Sequence, residues 1–277
     1  MINAVKRLIP SPLKRVIKAY LGERRKARLF GPLAPLVPDA DDMFDGPRSI
    51  DVFKANGEEF LKIYKEICGL RPTERMLDVG CGIGRKTLPL TQYLTRDARY
   101  EGFDITRAGI EWCASKITPR FPNFQFQTSE VYNKHYNPQG TCPPSQYRFP
   151  FEDSTFTFVV LGSVFTHMLP DDLSNYLSEI HRVLEKGGRC LITYFLLNPE
   201  SLPLIEAGKS SLDFKFIENG YRLVCKEVPE ETIAFDEDWI MRLYRKVGLD
   251  VTRVDYGSWC GRRQYLSYQD LLLAVKA

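Results

Sequence analysis

From residue 75 to residue 197, short apolar runs alternate with runs of helical period, and this alternation restricts the chain to one fold class. RMLDVG at 75–80, RYEGFDI at 99–105, FQFQTS at 124–129, TFTFVVLG at 155–162 and RCLITYFLL at 189–197 read as strands. Between them, 84–94, 106–117 and 171–184 carry apolar residues at helical spacing, with Thr106 placed as an N-cap. Strands that alternate with helices pair in parallel through right-handed crossovers, with helices on both faces. Beyond residue 220 the pattern changes. Residues 221–235 read as short extended pieces, 236–248 as a helix ended by Gly248, and 249–259 and 269–277 as two closing strands, expected to be antiparallel. Ahead of this domain, 12–29 reads as a basic amphipathic helix and 31–50, with four prolines, as a surface linker. The α/β domain proper is expected over 51–277, opening with a helix at 51–69.

The strand at 75–80 runs through Asp78 into Gly80, Cys81, Gly82 and Gly84. Glycine at the tip of a buried parallel strand lets the backbone turn sharply and approach a ligand with no Cβ in the way. A dinucleotide site needs a third glycine five residues after the first, but Gly84 stands four after Gly80, and no GxxxxGK[ST] phosphate loop occurs. Asp78, two residues before the first glycine, repels a pyrophosphate and suits a cationic amino group. Asp104 ends the next strand, where an acid accepts hydrogen bonds from ribose hydroxyls. A ligand with a ribose, an ammonium group and no phosphate meets all three conditions, and S-adenosylmethionine is such a ligand.

At these residues the chain resembles the class I S-adenosylmethionine-dependent methyltransferases. LDVGCGIGR looks like their first motif, YEGFD like their second, FPFEDSTFTFVVLGSVFTHML like the fourth-strand region and HRVLEKGG like the turn before the fifth strand. DMFDGP, SVFTHM and YGSWCGR are similar to a bacterial subgroup often found beside sugar and cell-surface genes. The resemblance implies a Rossmann-like seven-stranded sheet of order 3-2-1-4-5-7-6, with the last strand pair antiparallel. It also implies that Gly80, Cys81 and Gly82 lie against the methionine part of the cofactor, with Gly84 in the same turn and Asp78 near the amino group. Asp104 and Ile105 would hold the ribose and flank the adenine, Glu130 and Val131 would meet the adenine edge, and Gly162 and Ser163 would line the other side.

Methyl transfer needs a positioned acceptor and, for a hydroxyl, a base. His167, just after the fourth strand, is the candidate general base. Its other reading is a helix-start histidine that packs locally. Asp171 and Asp172 read first as a helix cap, His181 as structural and His135 as a bystander. The loop at 131–151 is long for a connection, and Tyr132, Asn133, Tyr136 and Asn137 suit a polar ring such as a sugar. Trp259 and Arg262 could reach the same mouth, although Trp259 reads equally well as core. The expected partner is a small-molecule acceptor, most simply a hydroxyl. The alternatives are a nitrogen acceptor and a non-catalytic cofactor-binding module.

A nucleic-acid amine methyltransferase is disfavoured, because the only double proline, CPPS at 142–145, lacks the aromatic of the [DNS]PP[YFW] signature. Net charge is +3, yet residues 1–30 carry +8 and the remainder −5. The basic helix therefore has two readings: a helix packed on the domain, or a peripheral contact with anionic lipid. Seven cysteines without a CxxC pair fit a reducing, cytoplasmic setting with no metal site by spacing. No run of about 18 apolar residues is present to span a membrane.

Overall fold

The computed structural model describes residues 11–277, with side chains from residue 16. Leu13 of the amphipathic reading falls outside the described side chains. Helix α1 (Ser11–Phe30) leads through a 3-10 turn at Gly31–Leu36 to α2 (Ile50–Glu66), whose N-cap Ser49 accepts from the Val52 amide.

Next come β1 (Arg75–Val79), the single turn α3 (Thr87–Leu90), β2 (Arg99–Asp104), α4 (Arg107–Lys116) and β3 (Phe124–Thr128). These are followed by β4 (Phe156–Leu161), α5 (Pro170–Val183), β5 (Leu184–Tyr194) and β6 (Leu196–Leu197). Then follow α6 (Ser201–Glu206), β7 (Phe216–Glu218), β8 (Tyr221–Leu223), β9 (Ile233–Asp236), α7 (Glu237–Val247), β10 (Leu249–Asp255) and β11 (Asp270–Lys276).

The main sheet runs β3-β2-β1-β4-β5-β11-β10. Only β11 breaks the parallel rule, pairing antiparallel with both β5 and β10. With β10 and β11 counted as the sixth and seventh strands, this is the expected order 3-2-1-4-5-7-6. The strand faces explain why the centre reads as unbroken apolar sequence. Along β4, Val159 and Leu161 enter one core with Ile180 and Leu177 of α5, while Phe158 and Val160 enter the other with Tyr64 and Phe60 of α2. Asp172 takes the backbone N–H of Leu169 at the start of α5, the cap its LPDD sequence suggests. The 221–235 pieces pair into a second small sheet, β6-β9-β8-β7.

Two expectations are corrected. The helix read over 84–94 is one turn long. After Pro89, which lacks an amide donor, Thr91, Gln92 and Tyr93 bond back three residues rather than four. The residues read as a surface linker are not one throughout. Leu36, Val37 and Met43 are buried against Phe53, Ile83 and Leu88, because the sequence between the prolines supplies apolar side chains that α2 and the glycine turn leave room for.

Candidate active site

The carboxyl ends of β1, β2 and β4 open on one cavity of about 390 Å³. At its floor, Gly80 and Gly82 stand at φ +79° and +57°. A Cβ on Gly80 would collide with the Val164 side chain, and one on Gly82 would meet Asp45 Oδ2 at 2.5 Å. Only glycine permits this turn. Asp104 holds it from the side. One carboxylate oxygen accepts the Gly82 amide at 2.8 Å and the other the Thr106 amide at 2.7 Å. Burial raises the Asp104 pKa, and those amides pull it back.

Asp78 is 2% exposed. Thr87 Oγ1 donates to Tyr100 OH at 2.8 Å, and that hydroxyl donates to Asp78 Oδ2 at 2.7 Å. Burial pushes the Asp78 carboxyl up to about 6, against the Tyr100 bond and the charge of Lys86. Oδ1 of Asp78 has no hydrogen-bond partner among the described residues. Lys86 crosses the cavity so closely that a Cβ on Gly162 would collide with its ammonium, which stands 4.5 Å from the centre of the Phe60 ring. No described carboxylate pairs with Lys86, and burial lowers its pKa.

Beside Gly162, Ser163 adopts φ +67°, a backbone conformation a non-glycine residue rarely takes. Three bonds hold it there. Its amide donates to Thr193 Oγ1, and its hydroxyl and that of Thr193 both donate to Gln269 Oε1, at 2.7, 2.9 and 2.6 Å.

Tyr132, Asn133, Tyr136, His167, Met168 and Tyr176 also line the cavity. His167 Nδ1 lies 3.0 Å from the Glu230 carbonyl oxygen. A carbonyl can only accept, so Nδ1 carries the proton and Nε2 is the basic nitrogen. Burial lowers the His167 pKa, leaving a neutral imidazole at pH 7. Asn133 ties the covering loop to this turn. Its amide nitrogen donates to the His167 carbonyl at 3.0 Å, and its oxygen accepts the amides of His135 and Tyr136 at 3.0 and 2.9 Å.

Asp78, Gly80, Cys81, Gly82, Asp104, Ile105, Val131, Gly162, Ser163, Tyr132, Tyr136 and His167 all line the cavity. Five of the residues read for the site do not, Asn137 among them, whose amide nitrogen donates to the Val131 carbonyl at 3.0 Å. Gly84 packs on α4, where a Cβ would lie 3.0 Å from Cys113 Sγ. Glu130 points to solvent and pairs with Arg107 at 2.8 Å. Trp259 is fully buried and donates Nε1 to Asp270 at 2.8 Å, so the core reading of this residue holds. Arg262 is spent on the same carboxylate at 3.0 Å and on Glu200 at 2.8 Å.

Sequence reasoning missed several lining residues: Asp45 with its neighbours, Glu59, Lys86, Ser129 and the segment 267–269. The one available signal was the lysine in GRKT, polar at a position that a strand–turn–helix unit folds inward. Asp45 reaches the site from 35 residues before Gly80 in sequence. It accepts the Ile83 amide at 3.4 Å and pairs with Arg85 at 2.9 Å.

The sheet order is that of the Rossmann-like methyltransferase fold, with a glycine-floored cavity at its carboxyl edge. Residues 77–192 match the methyltransferase domain family. Over 120 residues the chain is 34% identical to a phthiotriol/phenolphthiotriol dimycocerosates methyltransferase of Mycobacterium ulcerans, covering 43% of this chain and 37% of that one. Over 154 residues it is 26% identical to the demethylmenaquinone methyltransferase of Alkalihalophilus pseudofirmus, covering 55% of this chain and 57% of that one. The chain thus matches well under two thirds of the length of these curated relatives.

Among solved structures, the fold resembles the 1,6-didemethyltoxoflavin-N1-methyltransferase of Burkholderia thailandensis, solved with S-adenosylhomocysteine. The TM-score is 0.54 at 19% identity, over 83% of this chain and 82% of that one. It also resembles the magnesium protoporphyrin IX methyltransferase of Synechocystis (TM-score 0.52, 16% identity, 95% and 100% covered).

The cavity's chemistry fits S-adenosylmethionine. A free carboxylate oxygen on Asp78, the unpaired Lys86 ammonium and the buried, unpartnered Ser129 hydroxyl all stand around a floor cleared of Cβ atoms.

Proposed function

We propose that this chain methylates a hydroxyl of a small, uncharged acceptor, with His167 as the general base. The observation that carries this reading is the Nδ1–H bond to the Glu230 carbonyl. It fixes the tautomer and leaves a neutral Nε2 on a residue that lines the cavity. The bound cofactor supplies an electrophilic sulfonium methyl. Asp78 would take its ammonium, Lys86 its carboxylate and Asp104 its ribose, and Val131 would flank its adenine. Nε2 accepts the proton that the acceptor hydroxyl loses as its oxygen gains the methyl group, and later releases it to solvent.

Beside His167 the lining consists of Tyr136, Asn133 and Met168, residue types without a formal charge. This favours a neutral ring over a carboxylate or amine acceptor. A sugar would fit. The relatives above, however, are named for phthiotriol dimycocerosates and for demethylmenaquinone, so an apolar acceptor fits as well. The basic helix α1 suits the same reading as a peripheral contact with a membrane.

Calorimetry with S-adenosylmethionine tests the foundation. Asp104→Ala is expected to weaken binding by about tenfold or more, or roughly 1.4 kcal/mol. Absence of binding by well-folded wild type would overturn the cofactor assignment.

Asp78 gives a second test, with two effects of opposite sign. Asp78→Asn removes the charge that meets the ammonium and is expected to weaken binding by about 10- to 100-fold. Wild-type affinity should fall likewise as pH drops through about 6, where Asp78 takes up its proton. Stability moves the other way. The folded carboxyl binds its proton more tightly than the unfolded one, so this group costs stability as pH rises from its ordinary value of 3.8 to about 6. Asp78→Asn is therefore expected to raise the unfolding free energy at pH 7 by ~1–3 kcal/mol. Denaturant titrations at pH 5 and pH 7 check it, and an unchanged or lowered value at pH 7 would refute it.

A further inference from the structure

The two halves of α1 differ in what covers them. In the second half, Lys26 is buried with its ammonium 2.9 Å from Glu23 and 2.7 Å from Asp39, Arg25 pairs with Asp51, and Phe30 meets Phe53 edge-on at 6.2 Å. In the first half, Val16, Ile17, Tyr20 and Leu21 are 64%, 39%, 60% and 57% exposed. Spacing of i, i+1, i+4 and i+5 puts these four on one helix face. Tyr20, Arg24 and Arg28 continue that face at i, i+4 and i+8. Neither arginine pairs with a carboxylate among the described residues, and Arg24 lies over the Tyr20 ring at 5.7 Å.

We propose that this face of α1 seats on an anionic membrane surface. The charge decides between lipid and a second copy of the chain. Self-pairing along the face would bring together two segments that each carry +8 over residues 1–30. Lipid headgroups supply the opposite charge to Arg24 and Arg28, while the four apolar side chains enter the acyl boundary. The contact is peripheral, since no helix among the described residues is long and apolar enough to cross a membrane. At about 1.5 Å per residue the 20 residues of α1 extend roughly 30 Å, enough to lie along the surface.

The same chain segment then leads through residues 31–42 into 44–47, which line the cavity. Docking through α1 therefore holds the methyl-transfer site at the bilayer, where an apolar acceptor is concentrated. The docking claim stands without the hydroxyl reading.

The test is vesicle flotation of the full chain. Phosphatidylcholine vesicles are compared with vesicles containing phosphatidylglycerol, at low and high salt, and cofactor calorimetry runs in parallel as the check on folding. Wild type is expected to float with the anionic vesicles and to release in high salt. Ile17→Ser with Leu21→Ser should lower partitioning at least tenfold. Arg24→Gln with Arg28→Gln should lower it about twentyfold, near fivefold for each charge. Both variants replace exposed side chains and should bind S-adenosylmethionine as wild type does. Absence of flotation with anionic vesicles would overturn the proposal. So would a concentration-dependent dimer in sedimentation that the serine variant abolishes, because that would assign the face to a second copy.

Discussion

Replacing His167 with alanine is expected to lower kcat by about 10²- to 10⁴-fold, the usual worth of a positioned general base, with S-adenosylmethionine affinity unchanged within about threefold. The split follows from the geometry. The imidazole lies beside Tyr136, 5.1 Å between ring centres, and parallel to His135 at 6.4 Å, and it makes no contact with the carboxylates assigned to the cofactor. Its carbonyl partner also fixes the pH dependence. Burial holds the His167 pKa below its ordinary 6.5, so the free base dominates at pH 7. The rate should be flat around neutrality and fall only as acid protonates Nε2. Stability follows the same sign. The unfolded histidine binds its proton more readily, so the contribution of neutral His167 is present above pH 6.5 and is lost as pH falls through the lower, folded pKa. A kcat in His167→Ala equal to wild type, measured on any acceptor that turns over, would remove histidine from the chemistry. The residue would then be a packing element of the turn at 165–167.

The second large effect concerns Asp270, which no reading of the site requires. Its carboxylate accepts from the amides of Leu196 and Gly257 at 2.7 Å each, from Trp259 Nε1 at 2.8 Å and from Arg262 Nη1 at 3.0 Å. Burial pushes its pKa up to about 6, against these four donors, so at pH 7 it is charged and paired. Asp270→Ala leaves the buried Arg262 with only the exposed Glu200 as counter-charge and strands three N–H groups. Breaking a buried pair from one side costs about 3–5 kcal/mol, so urea unfolding of Asp270→Ala should shift by that amount with an unchanged slope. Arg262→Met separates the causes. It removes the second charge and leaves the carboxylate its other three donors, and should cost less than Asp270→Ala. A loss under about 1 kcal/mol in Asp270→Ala would mean that the loop between β10 and β11 is held by packing around Trp259 and Phe195 instead.

This knot also shows why Trp259 and Arg262 were attractive in sequence and wrong in place. An aromatic and an arginine beside glycines, close to a strand, look like a ligand rim. What removes them is Asp270, 11 residues beyond Trp259, which becomes their common acceptor only when β11 inserts between β5 and β10. Glu130 fails for a similar reason. Its side chain emerges on the outer side of the bend after β3 and finds Arg107, while its neighbours Ser129 and Val131 face inward.

The local features of the chain were set by sequence alone. The alternation of strand and helix requires a parallel sheet. The positions of Gly80 and Gly82 require a turn only glycine can make, and the two acids Asp78 and Asp104 at successive strand ends select the ligand's charge. These properties depend on backbone conformation and on side chains near one another in sequence. The tertiary structure decided what approaches from a distance. Asp45 returns from a segment that reads as a linker. Lys86, the N-cap of a helix only one turn long, faces into the cavity, and the carbonyl of Glu230 selects the tautomer of His167 from 63 residues away. It also left the apolar face of α1 bare. The sequence supplied that stripe, but whether other parts of the chain covered it was a matter of packing across the whole fold.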